Sequence, residues 1–302
     1  MSGHETQSTQ ALTSREKTVI VDSLRSQYKL QILLEQFELP RATYYDQRKR
    51  MKKPDKYTNV KLFIEHVYHE SHETYGYRRV YAMALKAGYT LCRETIRNLM
   101  SLLGLKVGVY SKHTSQYSSY KGQVGRIAPN IIKQNFNKTT PLTVFHTDIT
   151  QIRLVDGKWG YLSCITDEAS GEVLVAKAST SPNMALIQDT LDELKSWITP
   201  GSAPILHSDQ GWQYQQKAYR KALNRMNITQ SMSRKGNCHD NAPIESFFNL
   251  MKRECLNRIR INNIDELVKV VAEYTDWYNN ERISMNKNGL TPVEYRNQTV
   301  IA

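Results

Sequence analysis

The stretch LTVFHTDITQI, residues 142–152, is the most informative part of this chain of 302 residues for its fold. Its partly alternating apolar and polar side chains predict a β-strand that carries Asp148. Beyond it we predict further strands at residues 159–166, 172–178, 203–208 and 228–232, and helices at residues 185–198 and 215–226. Three strands, a helix, a strand, a helix and a last strand predict by themselves only a mixed α/β domain.

The first half of the chain carries all of its excess positive charge. The formal net charge is +12, and residues 1–140 hold 23 Lys and Arg against 11 Asp and Glu. Residues 141–302 hold 18 of each kind. A basic segment ahead of a neutral, acid-containing domain indicates that the first half holds DNA and the second performs chemistry. The alternative is an ordinary charged, solvated surface.

Composition excludes several other classes of protein. The four cysteines form no C-x-x-C pair, so neither a disulfide framework nor a zinc ribbon is indicated, and a reducing cytoplasm fits. No apolar run approaches about 18 residues, so we expect no membrane span. Residues 1–10 are polar, lack the apolar core of a signal peptide and are expected to be disordered.

Two helical segments precede the α/β domain. Residues 15–37 have helical apolar spacing, Pro40 interrupts them, and residues 41–49 form a basic helix. This predicts a helix-turn-helix, with an ordinary helical hairpin as the alternative. A second such unit is predicted from helices at residues 61–70, 77–86 and 93–103. The predicted DNA contacts of the two units are Arg41, Arg48, Arg78, Arg79, Arg93 and Arg97.

Residues 106–137 are polar, basic and rich in tyrosine, which suits a linker along DNA phosphates or a passive connection. The predicted division is therefore a helix-turn-helix module at 1–54, a second at 55–106, a basic linker at 107–140, and a catalytic core with C-terminal helices at 141–302.

Three carboxylates stand at positions where the predicted elements can bring them together. Asp148 lies on the first strand, Asp209 follows the strand at 203–208, and Glu245 lies early in a helix predicted at 242–256. Acids from two strand ends and a helix make a hard-oxygen site for Mg²⁺. They could hold two ions about 3.5–4 Å apart, as phosphoryl transfer requires, and Mn²⁺ could substitute.

The helix that carries Glu245 has a second polar feature. Asn249 and Lys252 follow Glu245 by four and seven residues, so all three share one face, unless this is a surface helix with scattered charges. Lys252 is predicted to grip a phosphate. Arg234 and Lys235, in the loop before this helix, are predicted to contact DNA.

Several polar neighbours of the acids have alternative roles. We expect His207 to orient the strand end rather than bind metal, and His146 to be structural. Asp240 is expected to cap the Glu245 helix, with a fourth metal ligand as the alternative. Either DNA binding or packing would suit Tyr278, Asn279, Asn280 and Arg282.

The short sequence motifs around these residues are, taken together, highly specific for one protein family. They are HTDIT (146–150), HSDQGWQY (207–214), SMSRKGN (231–237), DNAPIESF (240–247), KRE (252–254), YNNER (278–282) and GLTPVEY (289–295). Over residues 75–296 the chain resembles the DDE transposases of bacterial insertion sequences, in the retroviral-integrase superfamily. The resemblance implies a ribonuclease-H-like core with a mixed five-stranded sheet, catalysis by Asp148, Asp209 and Glu245, and contact of Lys252 with the transposon end.

The resemblance also implies a function. The chain would bind terminal inverted repeats and target DNA and carry out Mg²⁺-dependent strand cleavage and strand transfer, giving DNA integration and transposition. Water and a DNA 3′-hydroxyl would be the nucleophiles. A homo-oligomer would pair the two ends in the bacterial cytoplasm, at the nucleoid, and an upstream-frame DNA-binding protein is a possible partner. The alternatives are a non-catalytic DNA-binding regulator and a ribonuclease-H-type nuclease.

Overall fold

The computed structural model describes residues 12–108 and 125–301. The expectation for residues 1–10, and the linker tyrosines Tyr110, Tyr117 and Tyr120, lie outside these ranges. The chain divides into two compact units, with the division after Val60. Within the described ranges, no helix is both long and apolar enough to cross a membrane.

The first unit contains helices α1 (Ser14–Leu24), α2 (Leu30–Gln36) and α3 (Arg41–Met51). The single helix predicted over residues 15–37 is wrong, because a turn separates α1 from α2. A continuous helix would hold Val21 and Leu34 about 20 Å apart. The turn instead lets both enter one small core, whose buried members are Val21, Leu33, Leu34, Leu39 and Tyr44.

Arg48 of α3 has an internal partner as well as a predicted external one. Its Nε lies 3.0 Å from an Asp22 carboxylate oxygen on α1, with both side chains about one-third exposed. The buried Tyr44 donates a hydrogen bond to the same carboxylate. The side chain therefore braces α3 against α1, and its contact with DNA remains a prediction.

The second unit begins with helices α4 (Thr58–Glu70), α5 (Tyr77–Lys86) and α6 (Arg93–Leu102), close to the predicted bounds. Gly88, in the turn between α5 and α6, has a φ of 85°, which glycine adopts without steric cost. The buried side chains of these helices include Ile64, Val80, Ala84 and Ile96.

The sheet confirms the predicted fold class. Its strands are β1 (Val144–Arg153), β2 (Trp159–Asp167), β3 (Val173–Ser179), β4 (Ile205–Ser208) and β5 (Thr229–Met232). Their order is β3-β2-β1-β4-β5. The first three strands pair antiparallel, whereas β4 pairs parallel with both β1 and β5. This is the mixed five-stranded sheet of a ribonuclease-H-like core.

The remaining helices are α7 (Met184–Leu194), α8 (Lys217–Arg225), α9 (Ala242–Met251), α10 (Ile264–Asn280) and α11 (Pro292–Ile301). One face of the sheet packs against α7 and α8 through a core that includes Phe145, Ile187, Leu206 and Leu223. Helix α9 lies by β1 and β2, α10 lies by β3, and α11 packs against α10. A Cβ on Gly160 of β2 would lie 2.5 Å from Leu267 Cδ2 of α10, so glycine permits this close approach.

Two features of the C-terminal helices differ from the sequence expectation. The helix predicted over 242–256 is α-helical only to Met251 and continues as a π turn, Lys252–Leu256. Helix α11 was not predicted. Its signal was a capping box, since Thr291 Oγ1 accepts from the Glu294 amide at 3.1 Å and Glu294 Oε2 accepts from the Thr291 amide at 2.8 Å.

Candidate active site

Parallel pairing of β1 with β4 brings Asp148 and Asp209 to one end of the sheet. His146 and His207 are register partners in this pair. Each aspartate follows its histidine by two residues, so the two acids stand at the same level, Asp148 within β1 and Asp209 just beyond the end of β4. The carboxyl ends of parallel strands are where α/β sheets place their ligands.

Both aspartates line a cavity of about 270 Å³, which also contains Tyr161, Trp212 and Tyr214. Asp148 Oδ1 accepts a hydrogen bond from the Ile149 amide at 2.7 Å, and Asp209 Oδ1 accepts one from the Gly211 amide at 2.8 Å. A Cβ on Gly211 would lie only 3.0 Å from that Asp209 oxygen, so glycine keeps the turn open. Backbone amides thus orient both carboxylates.

The third acid reaches the same region from α9. Asn241, immediately before α9, donates from Nδ2 to the Thr147 carbonyl of β1 at 3.1 Å, which seats the start of the helix against the strand. Ile244, Phe247 and Met251 of α9 are buried, whereas Glu245 is partly exposed in its first turn.

The electrostatics of the three acids are those of a site that concentrates negative charge. Burial raises the pKa of Asp148 well above its usual range, and the charges of Asp209 and Glu245 raise it further. Burial also raises the pKa of Asp209. The pKa of Glu245 is raised by burial, opposed by His239, and raised further by Asp209. A bound cation would relieve this repulsion.

Lys252 lies within electrostatic reach of the acids. Burial lowers the pKa of its ammonium, and the carboxylate of Asp148 opposes that shift. The structure therefore brings Asp209, Glu245 and Lys252 within electrostatic reach of Asp148.

The geometry of the acids is nevertheless open. Glu245 does not line the cavity that Asp148 and Asp209 share. Over residues 12–108 and 125–301, no three His, Cys, Asp or Glu side chains stand close enough to enclose a metal ion. Asp148 and Asp209 share a cavity, and Glu245 is close enough for its charge to affect the pKa of Asp148.

The two histidines under the site are structural, as predicted. His146 and His207 are fully buried, and their rings lie 5.6 Å apart. The His207 ring nitrogens lie 2.8 Å from Ser231 Oγ and 3.1 Å from Ser233 Oγ. His146 lies 2.8 Å from a Glu168 oxygen. These contacts fix the strand ends that carry the aspartates.

Burial of His207 predicts a specific loss of stability in acid. Burial, with His146 beside it, lowers the pKa of His207 to about 4, from about 6.5 in an unfolded chain. The unfolded state therefore binds more protons between these values, so the free energy of unfolding falls by about 3 kcal/mol as pH drops from 6.5 to 4. Urea titrations across this range should show a shallower pH slope for His207→Gln. The exposed His66→Gln should keep the wild-type slope, and an unchanged slope in His207→Gln would count against this assignment.

Asp240 does not have the role predicted for it. The N-cap residue of α9 is Asn241, and no side chain caps this helix. Instead the buried Asp240 carboxylate accepts bonds from Asn130 Nδ2 at 2.9 Å, Gln134 Nε2 at 2.7 Å, and the Arg234 amide at 2.8 Å. The Arg234 guanidinium adds bonds of 3.0 and 2.8 Å. The carboxylate is thus committed to folding the loop that precedes α9 onto residues 130–134.

The predicted DNA contacts differ in their surroundings. Arg234 is largely exposed although its guanidinium pairs with Asp240. Arg79 stacks on the Tyr75 ring at 5.3 Å. The other exposed members of the set are Arg41, Arg78, Arg93, Arg97 and Lys235. Their contacts with DNA stay predictions.

Packing explains Tyr278, Asn279 and Arg282 near the end of α10, whereas Asn280 is exposed. Asn279 accepts from the Val173 amide at 2.9 Å and donates to the Val173 carbonyl at 2.8 Å, which fastens α10 to β3. Tyr278 is buried, and the Arg282 guanidinium lies 5.3 Å from its ring centroid. The buried partner of Arg282 is Glu254, which the sequence reasoning did not select. No local signal marks Glu254, because it lies in a mixed run of charged and apolar residues, MKRECL (251–256).

Comparison with family models gives three matches. Residues 138–238 and 245–300 each match a model described as an integrase core domain, and residues 54–113 match an HTH-like domain. The integrase matches cover the sheet and the C-terminal helices, and the HTH-like match covers α4 to α6.

Comparison with whole proteins gives close relatives. The chain is 42% identical over 280 residues to a protein of Escherichia coli K12 named as the transposase InsK for insertion sequence element IS150, covering 93% of this chain and 98% of that protein. It is 35% identical to a Shigella flexneri protein named as a transposase for IS1353, over 94% of this chain but 55% of that protein.

Among solved structures, the HTLV-2 integrase catalytic core domain in complex with magnesium aligns with 52% of this chain and 97% of its own. The alignment has 14% sequence identity and a TM-score of 0.40.

Proposed function

This chain belongs to the insertion-sequence transposases with an integrase core, and we propose on this basis that it cuts and joins DNA strands at Asp148, Asp209 and Glu245. The single observation that carries this assignment is the convergence of three carboxylates whose pKa values are raised by burial, two of them at one cavity. A ribonuclease-H-type nuclease would cleave strands without joining them, and a DNA-binding regulator would bind DNA and do neither.

We propose a divalent metal, Mg²⁺ with Mn²⁺ as a substitute, as the cofactor. The donor set fits, because all three side chains offer hard oxygen ligands and their mutual repulsion favours a bound cation. Two ions would suit the reaction. The metal would supply neutralisation of the phosphate charge and activation of the attacking oxygen.

The residues of the chain would divide the work. Asp148 and Asp209, oriented by backbone amides, would hold the reacting phosphate through the metal. Lys252 would place its ammonium on a neighbouring phosphate, since it is half-buried and attracted by Asp148. No protein nucleophile is required, because water serves in cleavage and a DNA 3′-hydroxyl serves in joining.

We propose that the helical modules recognise the terminal inverted repeats and that a homo-oligomer pairs two ends. The division at residues 1–54, 55–106, 107–140 and 141–302 remains part of this proposal. An upstream-frame DNA-binding partner and a place at the nucleoid of the bacterial cytoplasm complete it.

The exposed arginines of α6 predict a salt-dependent grip on DNA. Removing one phosphate-binding arginine should lower the slope of log affinity against log salt concentration by about 0.9. Fluorescence anisotropy of a labelled repeat duplex should therefore give a slope reduced by about 2 for the double variant Arg93→Gln, Arg97→Gln. Arg225→Gln, an exposed arginine at the end of α8, is the matched control. A double variant that kept the full slope would remove α6 from the DNA interface.

The proposed activity is tested with a labelled duplex that carries the element's terminal repeat. In the presence of Mg²⁺, both cleaved and joined strands are expected from the wild-type chain. Cleavage without joining would indicate a nuclease, and binding without either product would indicate a regulator.

A further inference from the structure

The π turn that carries Lys252 also carries Glu254, which forms a buried ion pair with Arg282. Arg282 Nε donates to Glu254 Oε2 at 2.7 Å, and Arg282 Nη2 donates to Glu254 Oε1 at 2.6 Å. The Glu254 and Arg282 side chains are 0% and 3% exposed. Tyr274 of α10 adds a bond from its hydroxyl to Glu254 Oε2 at 2.9 Å.

Stability alone is a weak reason to keep such a pair. Removing two charges from water is expensive, and apolar residues of similar volume often serve a folded chain as well or better. The pair does, however, fix geometry, because a guanidinium and a carboxylate bound through two hydrogen bonds admit essentially one relative orientation.

The element fixed in this way is unusual. The amide of Asn257 donates to the Lys252 carbonyl at 2.8 Å, the i to i+5 bond of a π turn. Such turns inside helices are rare and often mark functional sites. Glu254 lies two residues beyond Lys252, roughly half a turn further round the helix. The same turn therefore points Lys252 towards Asp148 and Glu254 away from it, into α10.

Arg282, the other member of the ion pair, is held in place by residues of the HTH-like segment. The Tyr75 hydroxyl, from the segment before α5, accepts from the Ile283 amide at 2.7 Å and donates to the Glu281 carbonyl at 3.3 Å. These two residues flank Arg282. Arg258, just beyond the π turn, also donates to the His72 carbonyl. The HTH-like segment thus grips the backbone on both sides of Arg282.

We propose that Glu254 and Arg282 are positioning residues that set the direction in which Lys252 enters the active site. Because Tyr75 holds the backbone around Arg282, the pair ties that direction to the placement of the HTH-like segment. This inference rests on the proposed role of Lys252 at the DNA end.

The experiment is a mutant cycle in the full-length chain. The single variant Glu254→Met should lower the melting temperature by about 10 °C, because it leaves a buried guanidinium unpaired. The double variant Glu254→Met, Arg282→Met should recover most of that loss. If the pair positions Lys252, the double variant should still cleave the repeat duplex at least tenfold more slowly than wild type.

Adding Lys252→Met separates positioning from general damage. In the wild-type background this change should slow cleavage strongly, whereas in the double variant it should cost less than about threefold, since the lysine is already misplaced. The exposed Lys269→Met on α10 is the matched control and should have no effect in either background. Recovery of stability together with wild-type cleavage, or an equal cost of Lys252→Met in both backgrounds, would overturn the proposal.

The same mutant cycle can also be measured by DNA binding, which does not depend on catalysis. The same variants are compared by their dissociation constants for the repeat duplex in chelator, where the loss of Lys252 should again matter less without the pair. A wild-type chain that binds but does not cleave would refute the proposed function while the binding cycle still decides the positioning. If the double variant fails to fold, Glu254→Gln, which keeps the side-chain volume, replaces it in both assays.

Discussion

Replacing Asp148 by Asn will abolish strand cleavage and joining and will raise the stability of the metal-free protein. The loss of activity should reach at least about a thousandfold, the equivalent of several kcal/mol of transition-state stabilisation by metal. The gain in stability follows from burial and from the neighbouring charges of Asp209 and Glu245, which raise the pKa of Asp148. DNA binding should change little.

The stability of the metal-free protein should depend on pH in a defined direction. A carboxyl group with a raised pKa in the folded state destabilises the protein once it ionises. The metal-free wild type should therefore lose stability as pH rises above about 4, the ordinary value of an aspartate, through the folded pKa of Asp148. Asp148→Asn should lose less over the same interval.

Thermal melts in chelator and in Mg²⁺ measure both effects. Added Mg²⁺ should raise the melting temperature of the wild type but not of Asp148→Asn, because a ligand stabilises only the state that binds it. Asp189→Asn, at an exposed position of α7, is the matched control and should behave as wild type. Equal loss of DNA binding and cleavage in Asp148→Asn would remove this residue from the metal site.

Replacing Asp240 by Asn should destabilise the protein by about 2 kcal/mol, because it removes the charge of a buried carboxylate that bonds to the largely exposed Arg234. The change also replaces one of the two oxygens that accept from Asn130 and Gln134, so one of these donors loses its acceptor. The loop before α9 would then loosen, and cleavage should fall together with stability because Glu245 follows this loop by a few residues.

Bonding to Arg234 lowers the pKa of Asp240 well below its usual range. Its stabilisation is therefore complete above about pH 4 and is lost as pH falls through the folded value. Denaturant titrations should show the full difference between wild type and Asp240→Asn at pH 7 and a smaller one at pH 3. Asp192→Asn, which breaks an exposed pair with Lys195, is the matched control and should change the stability little. A difference that did not shrink in acid would argue against the ionised pair.

Local patterns were sufficient to predict the sheet and the positions of the acids. Alternation along residues 142–152, and the apolar runs that follow, predict strands because each strand buries one face within a few residues. The positions of the acids follow from these elements, with Asp148 within the first strand, Asp209 just after the fourth and Glu245 in the first turn of α9. The sequence motifs around the acids indicated the ribonuclease-H-like fold, whereas the order of strands and helices alone indicated only a mixed α/β domain.

The features that local patterns could not predict depend on contacts between distant residues. Asp240 accepts from side chains about 110 residues earlier in the chain, and Glu254 pairs with Arg282 from beyond the end of another helix. The break between α1 and α2 serves a core that no local pattern reveals. The π turn after Met251 carries no compositional signal, because its residues are ordinary helix formers.

Whether the three acids form the catalytic set is tested by a strand-joining assay with the wild-type chain and its variant Glu245→Gln. A duplex labelled at the terminal repeat is incubated with Mg²⁺, and the strands are separated on a denaturing gel. We expect cleaved and joined strands from the wild type and neither from the variant, although both proteins bind the duplex equally. Joined strands produced equally by Glu245→Gln would show that these three acids are not the catalytic set.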